Sequence, residues 1–112
     1  MMAVVGRSQV AVGQRPTVSI LSTGDEILEL DQKPEGPQIY NSNGHMLAAQ
    51  IRSAGGLPIY LGIAKDTEKD LMEKFEWALK ADIVVSSGGV SVGDYDLVKA
   101  SLQKMGQEML FW

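Results

Sequence analysis

Short apolar runs alternate along the chain with longer stretches whose apolar positions recur at helical spacing. Residues 18–21 (V-S-I-L), 57–64 (L-P-I-Y-L-G-I-A) and 83–85 (I-V-V) are rich in β-branched residues and too short for helices. They predict strands over 18–23, 57–64 and 83–87. Leu47, Ile51 and Ala54 make one stripe. Leu71, Met72, Phe75, Ala78 and Leu79 make a second, and Leu97, Val98, Leu102 and Met105 a third. The stripes predict helices over 42–54, 67–80 and 95–105. Gly55-Gly56 suits a helix stop, and Thr67 with Asp70 resembles a capping box. Residues 29–38 hold Pro34, Gly36 and Pro37 and read as an exposed loop. A short turn containing Ile27 and Leu28, capped by Thr23 or Asp25, is one of two readings of the segment after the first strand, and the weak alternation of residues 8–12 is compatible with an edge strand.

Strands alternating with helices imply an α/β fold in three layers. It would be a mostly parallel sheet with helices on both faces. A length of 112 residues suits one domain, here 17–112, after a segment over 1–16. The balance of 10 basic and 14 acidic residues, net −4, argues against nucleic acid or an anionic membrane as partner. With no cysteine, disulfides and thiolate metal sites are excluded, and a cytoplasmic location is expected. No apolar run approaches the ~20 residues of a membrane span.

In parallel sheets, ligands bind outside the carboxyl ends of the strands. Each predicted strand ends there on chemistry-bearing residues. The first runs into Thr23, Gly24, Asp25 and Glu26, and the second into Asp66. The third runs into Ser87, Gly88, Gly89, Val90, Ser91, Gly93, Asp94 and Asp96. A glycine loop between a strand and a helix start gathers N–H donors that can cradle phosphate or another oxyanion. It lacks the lysine of G-x-x-x-x-G-K-[ST]. Carboxylates beside phosphate repel it unless a cation intervenes, and Mg²⁺ is held by one or two carboxylates plus phosphate oxygens. Helix and turn capping is the competing role for Thr23, Asp25, Asp66, Asp94 and Asp96, and likewise for Asn41 and Ser42. His45 has no second histidine to build a site with and reads as a surface residue.

The segments 22–27 (S-T-G-D-E-I), 39–43 (I-Y-N-S-N) and 54–56 (A-G-G), with Asp66 and 87–96 (S-G-G-V-S-V-G-D-Y-D), resemble the MoeA/gephyrin E-domain family in order and spacing. Its members are molybdopterin molybdenumtransferases. The resemblance implies insertion of molybdate into adenylated molybdopterin, with Mg²⁺-dependent release of AMP. It implies Glu26 and Asp96 as catalytic groups, and Asp25, Asp66, Asp94 and Asp96 around the metal. Thr23, Gly24, Asn41, Ser42, Ser87 and the glycine loop would line the substrate. A homodimer is implied, with the pathway's adenylyltransferase as a further partner. Family members are several times longer, so the chain is expected to lack their last strand and other domains. Two other readings are an adenylyltransferase-like or CinA-like pyrophosphatase, and a gephyrin-like dimerising, peptide-binding scaffold.

Overall fold

The structure is a computed structural model that describes residues 2–88, 94–108 and 110, with backbone alone for 94–96. Strand β1 (Thr17–Thr23) lies between β4 (Leu57–Ala64) and β5 (Ile83–Ser87), and both pairings are parallel. Two short strands, β2 (Ile27–Leu28) and β3 (Ile39–Tyr40), pair in parallel beside this sheet. The helices are α1 (Ser42–Ser53), α2 (Glu68–Ala78) and α3 (Asp94–Lys104). The α/β architecture expected from the alternation is therefore present, and every predicted helix and strand from residue 17 onward forms. One expectation fails and one reading is extended. Residues 8–12 form no strand and lie exposed, because nothing apolar covers them. Ile27 and Leu28 are not a mere turn, since their backbone pairs with Ile39 and Tyr40. Met2–Val5 adds a short 3₁₀ turn.

β1 is central, so both its faces are buried. Val18, Ile20 and Ser22 face α1, while Ser19, Leu21 and Thr23 face α2 and α3. Leu21, Ala64, Leu71, Phe75 and Ala78 form the core on the second side, with Val98 and Leu102 of α3 against it. Complete burial of side chains such as Phe75 and Leu71 contributes about 1.5–3 kcal/mol each. The polar residues within β1 secure helix ends. Ser19 Oγ donates at 2.9 Å to the Ala78 carbonyl at the end of α2, which also accepts from Ala81 N–H at 3.1 Å. Ser22 Oγ donates to Asn41 Oδ1 at 3.1 Å, at the start of α1. At the other end of the sheet, Asp82 accepts from both the N–H and the hydroxyl of Thr17, each at 2.7 Å.

Local signals explain the helix boundaries. Gly55, at φ +91°, closes α1 in a Schellman arrangement, with Gly56 N–H on the Ile51 carbonyl and Gly55 N–H on that of Arg52. Thr67 Oγ1 accepts from Asp70 N–H, as expected of an N-cap. The Asp70 carboxylate, however, reaches past Thr67 to Lys65 N–H at 2.7 Å. It thus braces the loop that follows β4.

β4 carries one residue more than its partner. Ile20 pairs with Tyr60, yet Ser22 pairs with Ile63, and Gly62 in the bulge sits at φ +81°. Tyr60 and Ile63 consequently share the α1 face, while Leu61 and Ala64 face the core. The crossovers β1–α1–β4 and β4–α2–β5 run in opposite directions along the sheet and lie on opposite faces, as two units of one hand must. Among the described residues no helix is long and apolar enough to cross a membrane.

Candidate functional site

β1 feeds α1 on one face of the sheet, and β5 feeds α3 on the other. Their carboxyl ends are adjacent at the switch point, the place where parallel sheets hold ligands. Ser22 and Ser87 pair there in register, their hydroxyl oxygens 3.1 Å apart. Gly88 follows at φ +108°. A Cβ there would lie 2.0 Å from the Thr23 carbonyl oxygen, so only glycine lets the two strand ends approach this closely. The Thr23 hydroxyl is fully buried beside Gly88 and has no hydrogen-bond partner among the described residues. Gly89, Val90, Ser91 and Gly93, and the side chains of Asp94 and Asp96, lie outside the described residues.

At the mouth, Gly24 is at φ +138° and the Glu26 carboxylate folds back over it. A Cβ on Gly24 would meet Glu26 Oε2 at 2.6 Å. Asp25 and Asp66 clasp each other's backbone: Asp25 N–H donates to Asp66 Oδ2 and Asp66 N–H to Asp25 Oδ1, both at 3.2 Å. The ends of β1 and β4 thereby bring two carboxylates together. Among the described residues no three His, Cys, Asp or Glu side chains gather as a metal cluster.

Asn41 is buried, and its amide is engaged within the protein. Its Oδ1 accepts from Gly44 N–H, which caps α1, and from Ser22 Oγ. Its Nδ2 donates to the Tyr60 hydroxyl at 2.7 Å. That hydroxyl donates in turn to the Glu29 carboxylate at 2.9 and 3.0 Å. A continuous polar chain thus links Ser87, Ser22, Asn41, Tyr60 and Glu29. Burial, then the Glu29 hydrogen bond and charge, push the Tyr60 pKa up to about 12. Ser42 is exposed at the start of α1, and the exposed His45 ring lies tilted at 36° beside that of Tyr60, with centroids 5.5 Å apart.

Tyr60 and Glu29 carried no motif. The available signal was a polar-capable ring on the same strand face as Ile20, too weak to single out. What the strand ends define is an α/β domain that gathers hydroxyls, glycines and carboxylates at one edge of its sheet. Residues 19–112 match the family described as "Probable molybdopterin binding domain", and the chain belongs to that family.

A molybdopterin molybdenumtransferase of Nostoc sp. is 49% identical over 90% of this chain and 23% of its own length. That of Bacillus subtilis is 38% identical over 99% of this chain and 26% of its own. The chain therefore spans about a quarter of these relatives. The crystal structure of a MoeA molybdopterin biosynthesis protein from Pyrococcus horikoshii superposes with a TM-score of 0.79 at 34% identity, covering 92% of this chain and 25% of that one. A CinA protein of unknown function from Thermoplasma acidophilum gives 0.65 at 25% identity, covering 84% and 53%.

Proposed function

We propose that this chain is the phosphate-holding domain of a molybdopterin molybdenumtransferase in molybdenum cofactor biosynthesis. The substrate on this reading is adenylated molybdopterin. Its pyrophosphate is cleaved, AMP leaves and molybdate enters the dithiolene. The observation that carries the reading is the meeting of Thr23, Ser87 and Gly88 at the switch point of a domain of the molybdopterin-binding family. The Thr23 hydroxyl would donate to a phosphate oxygen, and the glycine loop after Gly88 would add backbone N–H groups. Ser87 is held by Ser22 and would orient the same phosphate.

Asp25 and Asp66 give the carboxylate pair that Mg²⁺ takes beside phosphate oxygens, with Asp94 and Asp96 as further ligands from the loop. When bound, Mg²⁺ would neutralise charge on the pyrophosphate. Glu26, held over Gly24 at the mouth, would accept a proton from the attacking water, with Asp96 as the second catalytic group. The working form is proposed to be a cytoplasmic homodimer supplied by the pathway's adenylyltransferase.

Calorimetric titration with AMP and ADP, with and without Mg²⁺, tests this. Mg²⁺-dependent binding weakened about tenfold or more by Glu26→Gln or Asp96→Asn is expected. Failure of a folded chain to bind, or binding indifferent to Mg²⁺ and to both substitutions, overturns the reading for this domain.

A further inference from the structure

A cavity of about 450 Å³ opens between β4 and the segment joining β2 to β3. It reaches the carboxyl end of β1, where Gly24 and Asp25 line it, and suits a small ligand. Ile27, Leu28 and Ile63 give it an apolar floor, and Lys65 and Lys74 bring cations to it. Lys74 is half-buried, and its ammonium donates to the Leu61 carbonyl at a long 3.4 Å. The Lys65 ammonium has no hydrogen-bond partner among the described residues. The ion pair described in the chain, Lys104 with Glu68, uses neither lysine.

The cavity's carboxylates, Asp25 and Glu29, equal its two lysines in charge, but oxygens of both are engaged by other donors. Both oxygens of Glu29 accept from the Tyr60 hydroxyl, and Asp25 Oδ1 accepts from Asp66 N–H. Gln32 Oε1 accepts from Glu29 N–H at 3.2 Å, and Gln38 Oε1 from Glu35 N–H at 2.8 Å. Each bond fixes the oxygen of its amide, so each Nε2 keeps its two N–H donors for a ligand. The cavity thus offers ammonium and amide donors above an apolar floor.

We propose that this cavity is a second binding site, for an organic phosphate whose charged group meets Lys65 and Lys74 and whose flat body lies on Ile27, Leu28 and Ile63. The cavity shares Gly24 and Asp25 with the site proposed above, so the test omits Mg²⁺ and includes a substitution at Ser87 to tell the two apart.

The test uses phenyl phosphate and inorganic phosphate as probes, followed by amide NMR shifts of the folded chain without Mg²⁺. Saturable shifts at the cavity are expected, with phenyl phosphate about tenfold tighter than inorganic phosphate. Lys65→Gln and Lys74→Gln should each weaken phenyl phosphate about tenfold, Lys65→Arg should retain it, and Ser87→Ala should leave it unchanged. Lys65 is exposed, so its substitution leaves the fold intact for the comparison. No saturation at millimolar probe, or binding indifferent to Lys65→Gln, overturns the proposal. Equal affinity for the two probes overturns the organic body and leaves a free-oxyanion site.

Discussion

Asn41 Nδ2 meets the Tyr60 hydroxyl at 2.7 Å, and this bond joins the start of α1 to an outer strand of the sheet. Tyr60→Phe strips that partner from a buried amide and should cost about 1–3 kcal/mol. Asn41→Ala also removes the cap on Gly44 N–H and the acceptor for Ser22, so about 2–4 kcal/mol is expected. Urea denaturation of both variants measures this. Equal, near-zero losses would mean that the polar chain carries no stability.

Tyr60 should titrate apart from the other tyrosines. Its pKa lies near 12, raised by burial and by Glu29, so its neutral form is favoured in the folded protein. The stability tied to this shift is fully present below pH ~10 and is lost as pH rises through the folded value. Phenolate absorbance against pH should show one late-ionising tyrosine in the folded chain. Glu29→Gln should bring it earlier. A titration unmoved by Glu29→Gln would leave burial as the sole cause.

Gly88→Ala should be severe for its size. The added Cβ meets the Thr23 carbonyl at 2.0 Å on a backbone at φ +108°, so the strand ends must part. A loss of at least about 2 kcal/mol is expected. Gly13→Ala is the control: nothing lies within 4 Å of its added methyl, and a change within about 0.5 kcal/mol is expected. Thermal melts of the pair, with nucleotide titrations, would show whether the close approach also serves binding.

Asp82 predicts an acid-sensitive clasp. Its hydrogen bonds to the side chain and backbone of Thr17 hold its carboxyl below the usual range. That contribution is present above about pH 4 and is lost as pH falls through the lowered folded value. Asp82→Asn should lower the melting temperature at neutral pH, and the gap from the parent chain should narrow in acid. A gap that stays constant with pH would assign the effect to geometry instead of charge.

The helices and main strands were legible because each carries its own signal: stripes around Phe75 and Leu102, a Gly55 stop, a Thr67 cap. β2 and β3 were not, since two residues apiece show no period and depend on pairing 12 positions apart. The meeting of Asp25 and Asp66 was legible, because parallel topology collects the ends of β1 and β4. The Ser22–Asn41–Tyr60–Glu29 chain was not. Ser22 read as the end of a strand, Asn41 as a cap or ligand, and Glu29 as part of an exposed loop; only tertiary contact gives them one task. The S-Q-V-A-V alternation misled, because a period of two predicts a strand only where a sheet edge is there to receive it.

The extra residue in β4 has a bearing on solubility. Among the described residues β4 pairs on one side only, and Leu57 and Ile59 are partly exposed along it. A straight, apolar outer strand is a template for joining a second chain edge to edge. The kink at Gly62 breaks that template beside the cavity. Deleting Gly62 would leave Tyr60, Leu61, Ile63 and Ala64 on their present faces, with the core unchanged. The straightened molecule would keep its fold and become the more prone to form fibres.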